Sequence, residues 1–357
     1  MKTIIEKIDR DNIEQSVINQ AGEILKSGGL VAFPTETVYG LGADALNESA
    51  AEKTYAAKGR PSDNPLIVHI ARKEDLSRIA AEIPEGTWKL ADAFWPGPLT
   101  MIFQKSDQVP YGTTGGLETV AVRMPSDEIA KELILAGGGY VSAPSANTSG
   151  RPSPTTAAHV AQDLEGKIEM ILDGGSASIG VESTILDMTV IPPMILRPGA
   201  VTQEMMEAVI GSVDVDHTIL NANSTQAPKA PGMKYRHYAP KAQLSIVDGE
   251  LADVYETIRT LTEEAMSEGK RVGIIATKES ISEYPNGIIK NIGSREKRGD
   301  VAKHLYQILR EFDETQVDVI FSEPFTHAGI GSAVNNRLEK AAGHHHILAG
   351  QRKRPLA

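Results

Sequence analysis

Between His217 and Val247 the chain runs for 31 residues without an aspartate or glutamate, and within that stretch Asn221 to Gly232 holds no Ile, Leu, Val or Phe. At the acid content of the whole chain about four carboxylates would fall there. A segment that can neither build a core nor share the surface chemistry of its neighbours reads as a break between two separately cored bodies. The length of 357 residues points the same way, at about 150 residues per domain. We expect a first domain over 1–212, a linker over 213–243, and a smaller domain over 244–357.

Both flanks read as α/β. In the first, apolar positions four apart (Ile13, Val17, Ala21, Leu25) predict a helix over 12–26, with Asp11 and Glu14 as a capping box and Gly28 just past its end. Short strand-like runs follow at 30–33, 66–70, 99–103, 120–124, 140–143 and 185–188, with helices at 50–57, 126–135 and 154–164. Beyond the linker, apolar runs at 244–247, 271–276 and 318–321 alternate with helical stretches at 252–267, 299–312 and 333–342, the pattern of a parallel, Rossmann-like sheet.

Several chemistries are excluded early. The sequence contains no cysteine, which removes disulfides, thiolate metal sites and a cysteine nucleophile, and fits a reducing compartment. Its net charge of −11 argues against binding nucleic acid or anionic membranes through bulk charge. The charged residues of Met1 to Arg10 leave no apolar leader core, and the longest uncharged run, 133–150, is broken by glycines and Pro144. The expectation is a cytoplasmic protein with no membrane partner. Neither GxGxxG nor GxxxxGK[ST] occurs, so a nucleotide would need another kind of site.

The polar motifs sit beside strand ends, where open sheets form clefts. Pro34 to Asp44 leaves a strand through Thr35, Glu36 and Thr37 and turns through glycines. Lys58 and Arg60 flank Gly59, with Ser62 two residues on; a point charge and a guanidinium fork together suit phosphate oxygens. His69 turns away from Leu66, Val68 and Ile70 and reads as a structural strand histidine. Thr119, Ala121 and Arg123 share one strand face, leaving room above Ala121 for a carboxylate or phosphate, or else pointing Arg123 into water. Ser145, Asn147, Thr148 and Ser149 precede Ser153-Pro154, which reads as the N-cap and first residue of a helix facing an anion. Glu182, Ser183 and Thr184 and then Arg197-Pro198-Gly199 add hydroxyls and a cation. Between Ala230 and Pro240, tyrosines interleaved with cations suggest a segment that docks rather than a loose tether. The set describes a site for polyanions and a small carboxylate, working by positioning and charge stabilisation. His344, His345 and His346 cannot all face one ion from regular structure and read as a solvated or packed tail.

These motifs, in this order, resemble the YrdC-type threonylcarbamoyl-AMP synthases in their long form with a C-terminal Rossmann-like domain. The resemblance rests on PTETVYGLGAD (34–44), KGRP (58–61) with NPL (64–66), the Lys58-x-Arg60 and Ser145-x-Asn147 pair, GVEST (180–184), RPG (197–199) and PGMKYRHYAP (231–240). It implies a twisted open sheet in the first domain and synthesis of threonylcarbamoyl-AMP and pyrophosphate from ATP, L-threonine and bicarbonate, for threonylcarbamoyladenosine in tRNA. By the same resemblance Thr35, His69, Arg123, Ala143 (through its backbone) and Ser183 would hold threonine. Lys58, Arg60, Ser62, Thr119, Ser145, Asn147, Ser153, Arg197 and Tyr238 would surround ATP or its adenylate, with Lys58, Arg60, Ser145 and Asn147 as the catalytic set and the linker as a lid over the active site. Mg²⁺ would enter with ATP and needs no dedicated protein site; Glu36, Glu118, Glu182 and Asp173 are not assigned as ligands. A tRNA threonylcarbamoyltransferase would take up the product, with a transient tRNA contact possible. Two other readings stand beside it: a carbamoyltransferase related to hydrogenase maturation, against which the missing zinc-finger cysteines count, and an RNA-binding or ribosome-assembly module using Lys58, Arg60 and the linker cations.

Overall fold

The computed structural model describes residues 1–216, 238–326 and 328–350. The chain divides into two compact units, Met1–Ser149 with Ser153–Tyr235, and Gly150–Pro152 with Arg236–Ala357. Most of the expected linker, residues 217–237, lies outside the described residues. No helix among those described is long and apolar enough to cross a membrane.

The first unit is built on β1 (Ile4–Lys7), β2 (Val31–Phe33), β3 (Gly40–Asp44), β4 (Ile67–His69), β5 (Leu99–Gln104) and β6 (Thr119–Arg123). Its later strands are β7 (Val141–Ser142), β8 (Met170–Asp173), β9 (Thr184–Asp187), β10 (Met194–Arg197) and β11 (Asp214–Val215). They form one mixed sheet in the order β1-β8-β2-β3-β7-β4-β6-β5-β9-β10-β11. Parallel β4 and β6 pair Ile67 with Ala121 and His69 with Arg123, while antiparallel β5 and β6 pair Ile102 with Ala121 and Thr100 with Arg123.

That register separates the two faces of the central strands. Val68, Met101, Phe103, Val120, Val122 and Leu186 point into the main core, where residues of the helices Leu76–Ile79, Thr87–Phe94 and Gln203–Ile210 cover them. On the other face Ile67, Ile102, Ala121, Ile185 and Leu196 form a small cluster of their own that contains no helical residue. The first face is an ordinary sheet-on-helix core; the second is a floor. A further cluster joins the helices Gln15–Lys26 and Glu128–Ala136 to β2 and β8 through Ile18, Leu25, Leu133, Phe33 and Leu172.

The second unit carries β12 (Gln243–Asp248), β13 (Val272–Ala276), β14 (Ile288–Asn291), β15 (Val319–Ser322) and β16 (His346–Leu348), ordered β14-β13-β15-β12-β16 with every pairing parallel. Its helices are Leu251–Ser267, Arg298–Thr315 and Gly331–Ala342. The expected fold class, an open mixed sheet followed by a smaller parallel α/β unit, is the one observed.

Four local expectations need correction. The first helix starts at Gln15 with Glu14 as its cap residue and no side-chain cap; Asp11 instead donates its backbone N–H to Asp9, so no capping box forms. The helix expected from Pro154 begins at Ala157, capped by Thr156, whose hydroxyl accepts from the His159 N–H. The 40–44 stretch, expected as a glycine turn, is β3: Gly42 lies opposite Val31, and a side chain there would meet the Phe33 ring at 3.0 Å. The histidine run is exposed, as expected, but it is no tail. His346 opens the edge strand β16, its ring 2.5 Å from Asp248 and 2.6 Å from Glu339.

Leu133 is fully buried among the first-unit helices. Leu133→Ala should lower stability by about 2–5 kcal/mol, read as an earlier urea-unfolding midpoint with an unchanged slope.

Candidate active site

The alternation along β6 that keeps Val120 and Val122 in the core puts Arg123 on the same face as the floor residue Ala121. Arg123 is not in water: it is 4% exposed. Its Nη1 donates to Thr37 Oγ1 at 2.9 Å, Nε donates weakly to the Gly97 carbonyl at 3.4 Å, and Nη2 lies 2.8 Å from Glu36 Oε1. The turn leaving β2 supplies both partners. Thr35 Oγ1 organises it, donating to the Val38 carbonyl at 2.6 Å while accepting from the Thr37 and Val38 N–H groups. His69, next to Arg123 in the β4–β6 register, has Nδ1 3.1 Å from the Ile67 carbonyl and its ring edge-on to Phe33. Burial, and then the neighbouring Arg123 charge, pull its pKa down to about 3, so the ring is neutral.

A second cation arrives from β10. The ladder to β9 shifts between Ile195 and Arg197: Ile195 stays in the main core, while Leu196 joins the floor. Irregularities of this kind re-aim a strand end. Arg197 Nε donates to the Ser183 carbonyl at 3.1 Å and Nη2 to Ser183 Oγ at 3.2 Å, and that hydroxyl lies 2.8 Å from Thr100 Oγ1. Gly199 fits because it has no side chain: a Cβ there would lie 2.3 Å from the Thr184 nitrogen.

Lys58 and Arg60 are separated by the turn that ends the helix Glu48–Lys58, where Gly59 takes φ +61°. Both cations are buried and hold backbone carbonyls rather than lying in a solvated loop. Lys58 Nζ donates to the carbonyls of Ser145 and Asn147, the latter at 2.5 Å, while Arg60 donates to those of Asn64 and Pro65 at 3.2 and 3.0 Å. Lys58 therefore shapes the loop after β7, within which Ser145 Oγ donates to Asn147 Oδ1 at 2.6 Å. Ala143 is buried, its N–H bonded to the Ile67 carbonyl.

The other expected residues lie differently. Ser62 is exposed, and Thr119 is half-buried at the start of β6, on the Arg123 face. Ser153 is fully buried and donates to Glu182 Oε1 at 2.5 Å, so it caps no helix and the helix-dipole reason for placing an anion on it falls away. Tyr238 belongs to the second unit, where its ring centroid is 5.2 Å from that of Tyr306. Sequence reasoning passed over Glu36, Thr37, Thr100 and Glu182 as partners of these residues. Glu36 and Thr37 lay inside a motif already singled out; Thr100 needed the strand register, which the sequence does not display.

Two outcomes follow from this geometry. Unfolded His69 titrates near 6.5 and the folded ring near 3. Between those pH values the unfolded chain binds a proton that the folded chain refuses, so stability falls as pH drops through that window. In His69→Gln the acid-side loss of stability between pH 6.5 and 3 should be shallower, measured by urea unfolding at stepped pH. Gly199→Ala should cost about 1–3 kcal/mol by overpacking, seen as a lowered Tm.

Comparisons with known proteins identify the family. A family model described as "Telomere recombination" (Sua5_yciO_yrdC) matches residues 23–199, and one described as "Threonylcarbamoyl-AMP synthase, C-terminal domain" matches residues 201–343. A threonylcarbamoyl-AMP synthase of Pyrococcus abyssi is 49% identical over 335 residues, covering 94% of this chain and 96% of that one. One of Bacillus subtilis is 48% identical over 347 residues, covering 96% and 99%. Among solved structures, P. abyssi Sua5 complexed with L-threonine superposes with a TM-score of 0.92 at 48% identity, covering 97% of this chain and all of that one. With two domain models and near-full-length relatives in agreement, the chain belongs to the threonylcarbamoyl-AMP synthase family and is an enzyme of the nucleotidyltransferase type.

Proposed function

We propose that a cleft beside the Ile67, Ala121 and Ile185 cluster of the first unit binds L-threonine and ATP side by side and joins them through a carbon taken from bicarbonate or carbon dioxide. The observation that carries this reading is the buried Arg123 guanidinium, set beside an apolar floor and held by the Thr37 hydroxyl and the Glu36 carboxylate. A guanidinium held in low dielectric is a strong, oriented carboxylate receptor. Thr35, Ser183, the neutral His69 ring and the Ala143 backbone offer short-range polar contacts for the rest of a small hydroxy amino acid. The P. abyssi relative solved with L-threonine supports the same ligand.

ATP belongs beside it. The Ser145–Asn147 loop, with the buried Lys58 charge beneath, and Arg197 on Ser183 supply donors and positive charge for a triphosphate. Arg60, Ser62, Thr119 and Ser153 complete the proposed nucleotide set within the first unit. The threonine ammonium first loses a proton to solvent; the free amine adds to carbon dioxide and gives up a second proton to form a carbamate, one oxygen of which attacks the α-phosphorus while pyrophosphate leaves with the bonding pair. The residues contribute position and charge stabilisation. The hydroxyls and cations of this site suit phosphate oxygens rather than a hard cation, so Mg²⁺ would be carried on the triphosphate, where it neutralises charge. The adenylate then passes to a tRNA threonylcarbamoyltransferase in the cytoplasm, where ATP and tRNA are at hand.

The test is pyrophosphate release with mass detection of the adenylate, with threonine, with serine and without bicarbonate. Release that needs threonine and bicarbonate and yields a threonylcarbamoyl-AMP mass is expected; none from folded protein would overturn the reading. Lys58→Ala should slow the reaction about tenfold to a thousandfold, in the range seen when a charge-stabilising group is lost, and unchanged turnover would remove Lys58 from the catalytic set.

A further inference from the structure

Glu36 has no role in the reaction as set out so far, yet its side chain is 8% exposed beside Arg123. Its backbone is fixed: the Glu36 carbonyl accepts from the Ile179 N–H at 2.8 Å and from Ser178 Oγ at 3.3 Å. The carboxylate lies 2.8 Å from Arg123 Nη2, but neither of its oxygens accepts an aligned hydrogen bond and that Nη2 donates none. Attraction between the charges is present while the directional bonds that normally accompany it are missing. Buried charged groups left without aligned hydrogen bonds carry a desolvation cost, and each calls for an explanation.

The missing partners define a ligand. Glu36 and Arg123 Nη2 face each other at 2.8 Å without an aligned hydrogen bond, so Glu36 can still accept from an N–H donor, best supplied by a cation, and Arg123 Nη2 can still donate to an acceptor, best supplied by an anion. A phosphate would satisfy Arg123 and be repelled by Glu36. A metal ion or simple amine would satisfy Glu36 and be repelled by Arg123. An α-amino acid zwitterion carries an ammonium and a carboxylate on one carbon and completes both.

We propose that Glu36 receives the α-ammonium of the amino-acid substrate while Arg123 takes its carboxylate. This rests on the reading of the cleft as an amino-acid site and adds a selectivity element to it. The Glu36–Arg123 pair admits an amino acid and rejects the corresponding hydroxy or deamino acid, because a ligand without the ammonium leaves a buried carboxylate facing its own negative charge.

The experiment is calorimetric titration of the full-length protein with L-threonine and with (R)-3-hydroxybutanoate, which keeps the carboxylate and hydroxyl and lacks the amine. Wild type should bind threonine at least about tenfold more tightly, as expected for one charge-assisted hydrogen bond. Glu36→Gln should lose most of that preference by weakening threonine alone, and Glu36→Asp, which keeps the charge, should retain part of it. Equal affinity of wild type for the two ligands overturns the proposal. So does unchanged threonine affinity in Glu36→Gln, or equal weakening of both ligands, which would make Glu36 only a prop for Arg123. If Glu36→Gln does not fold by circular dichroism, the wild-type preference and the Glu36→Asp shift decide. Wild type that binds neither ligand overturns the amino-acid reading itself, a result separate from the outcomes that strike Glu36 alone.

Discussion

A guanidinium held out of water at the end of a central strand is the constraint around which the first unit is arranged. Burying Arg123 at 4% exposure is costly without partners, and the fold draws those partners from segments far apart in sequence. The turn after β2 supplies Glu36 and Thr37, the turn before β5 supplies the Gly97 carbonyl, and the β4 register sets His69 alongside. The strand ends are fixed in turn by the apolar floor of Ile67, Ile102, Ala121, Ile185 and Leu196. A site made this way sits on a rigid sheet, which is how charged groups are held in one orientation before a ligand arrives.

The surrounding cations illustrate the same economy. Lys58 and Arg60 spend hydrogen bonds on backbone carbonyls, so their first effect is to shape the loops that meet a ligand. Arg197 is anchored on Ser183 and reaches the cleft face only because the β9–β10 ladder shifts by one residue. Positive charge that is both buried and oriented acts at short range with little reorganisation, as a phosphoryl-transfer site without acid–base pairs requires.

Much of this was legible in the sequence, and the failures have physical causes. Period two along Thr119 to Arg123 separated the floor residue Ala121 from the core residues Val120 and Val122, and that separation holds in the structure. The strands β8, β14 and β16 were not expected, although strands as short as β2 and β4 were. Ser153-Pro154 has the composition of a helix start, but Thr156 offered a competing cap three residues on and won. Glu36 was weighed only as a metal ligand and set aside; its pairing with Arg123 depends on which strand ends become neighbours, and that is a property of sheet order rather than of local sequence. The second unit was recognisable from alternating apolar runs and helices, although its strand order, β14-β13-β15-β12-β16, was not.

The central claim is that a carboxylate ligand docks on Arg123 beside the apolar cluster of Ile67, Ala121 and Ile185. A crystal structure of this protein grown with L-threonine tests it most directly. The account predicts the threonine carboxylate within hydrogen-bond distance of the Arg123 guanidinium, above Ala121. Threonine seated elsewhere, with Arg123 still paired only to Glu36 and Thr37, would contradict it.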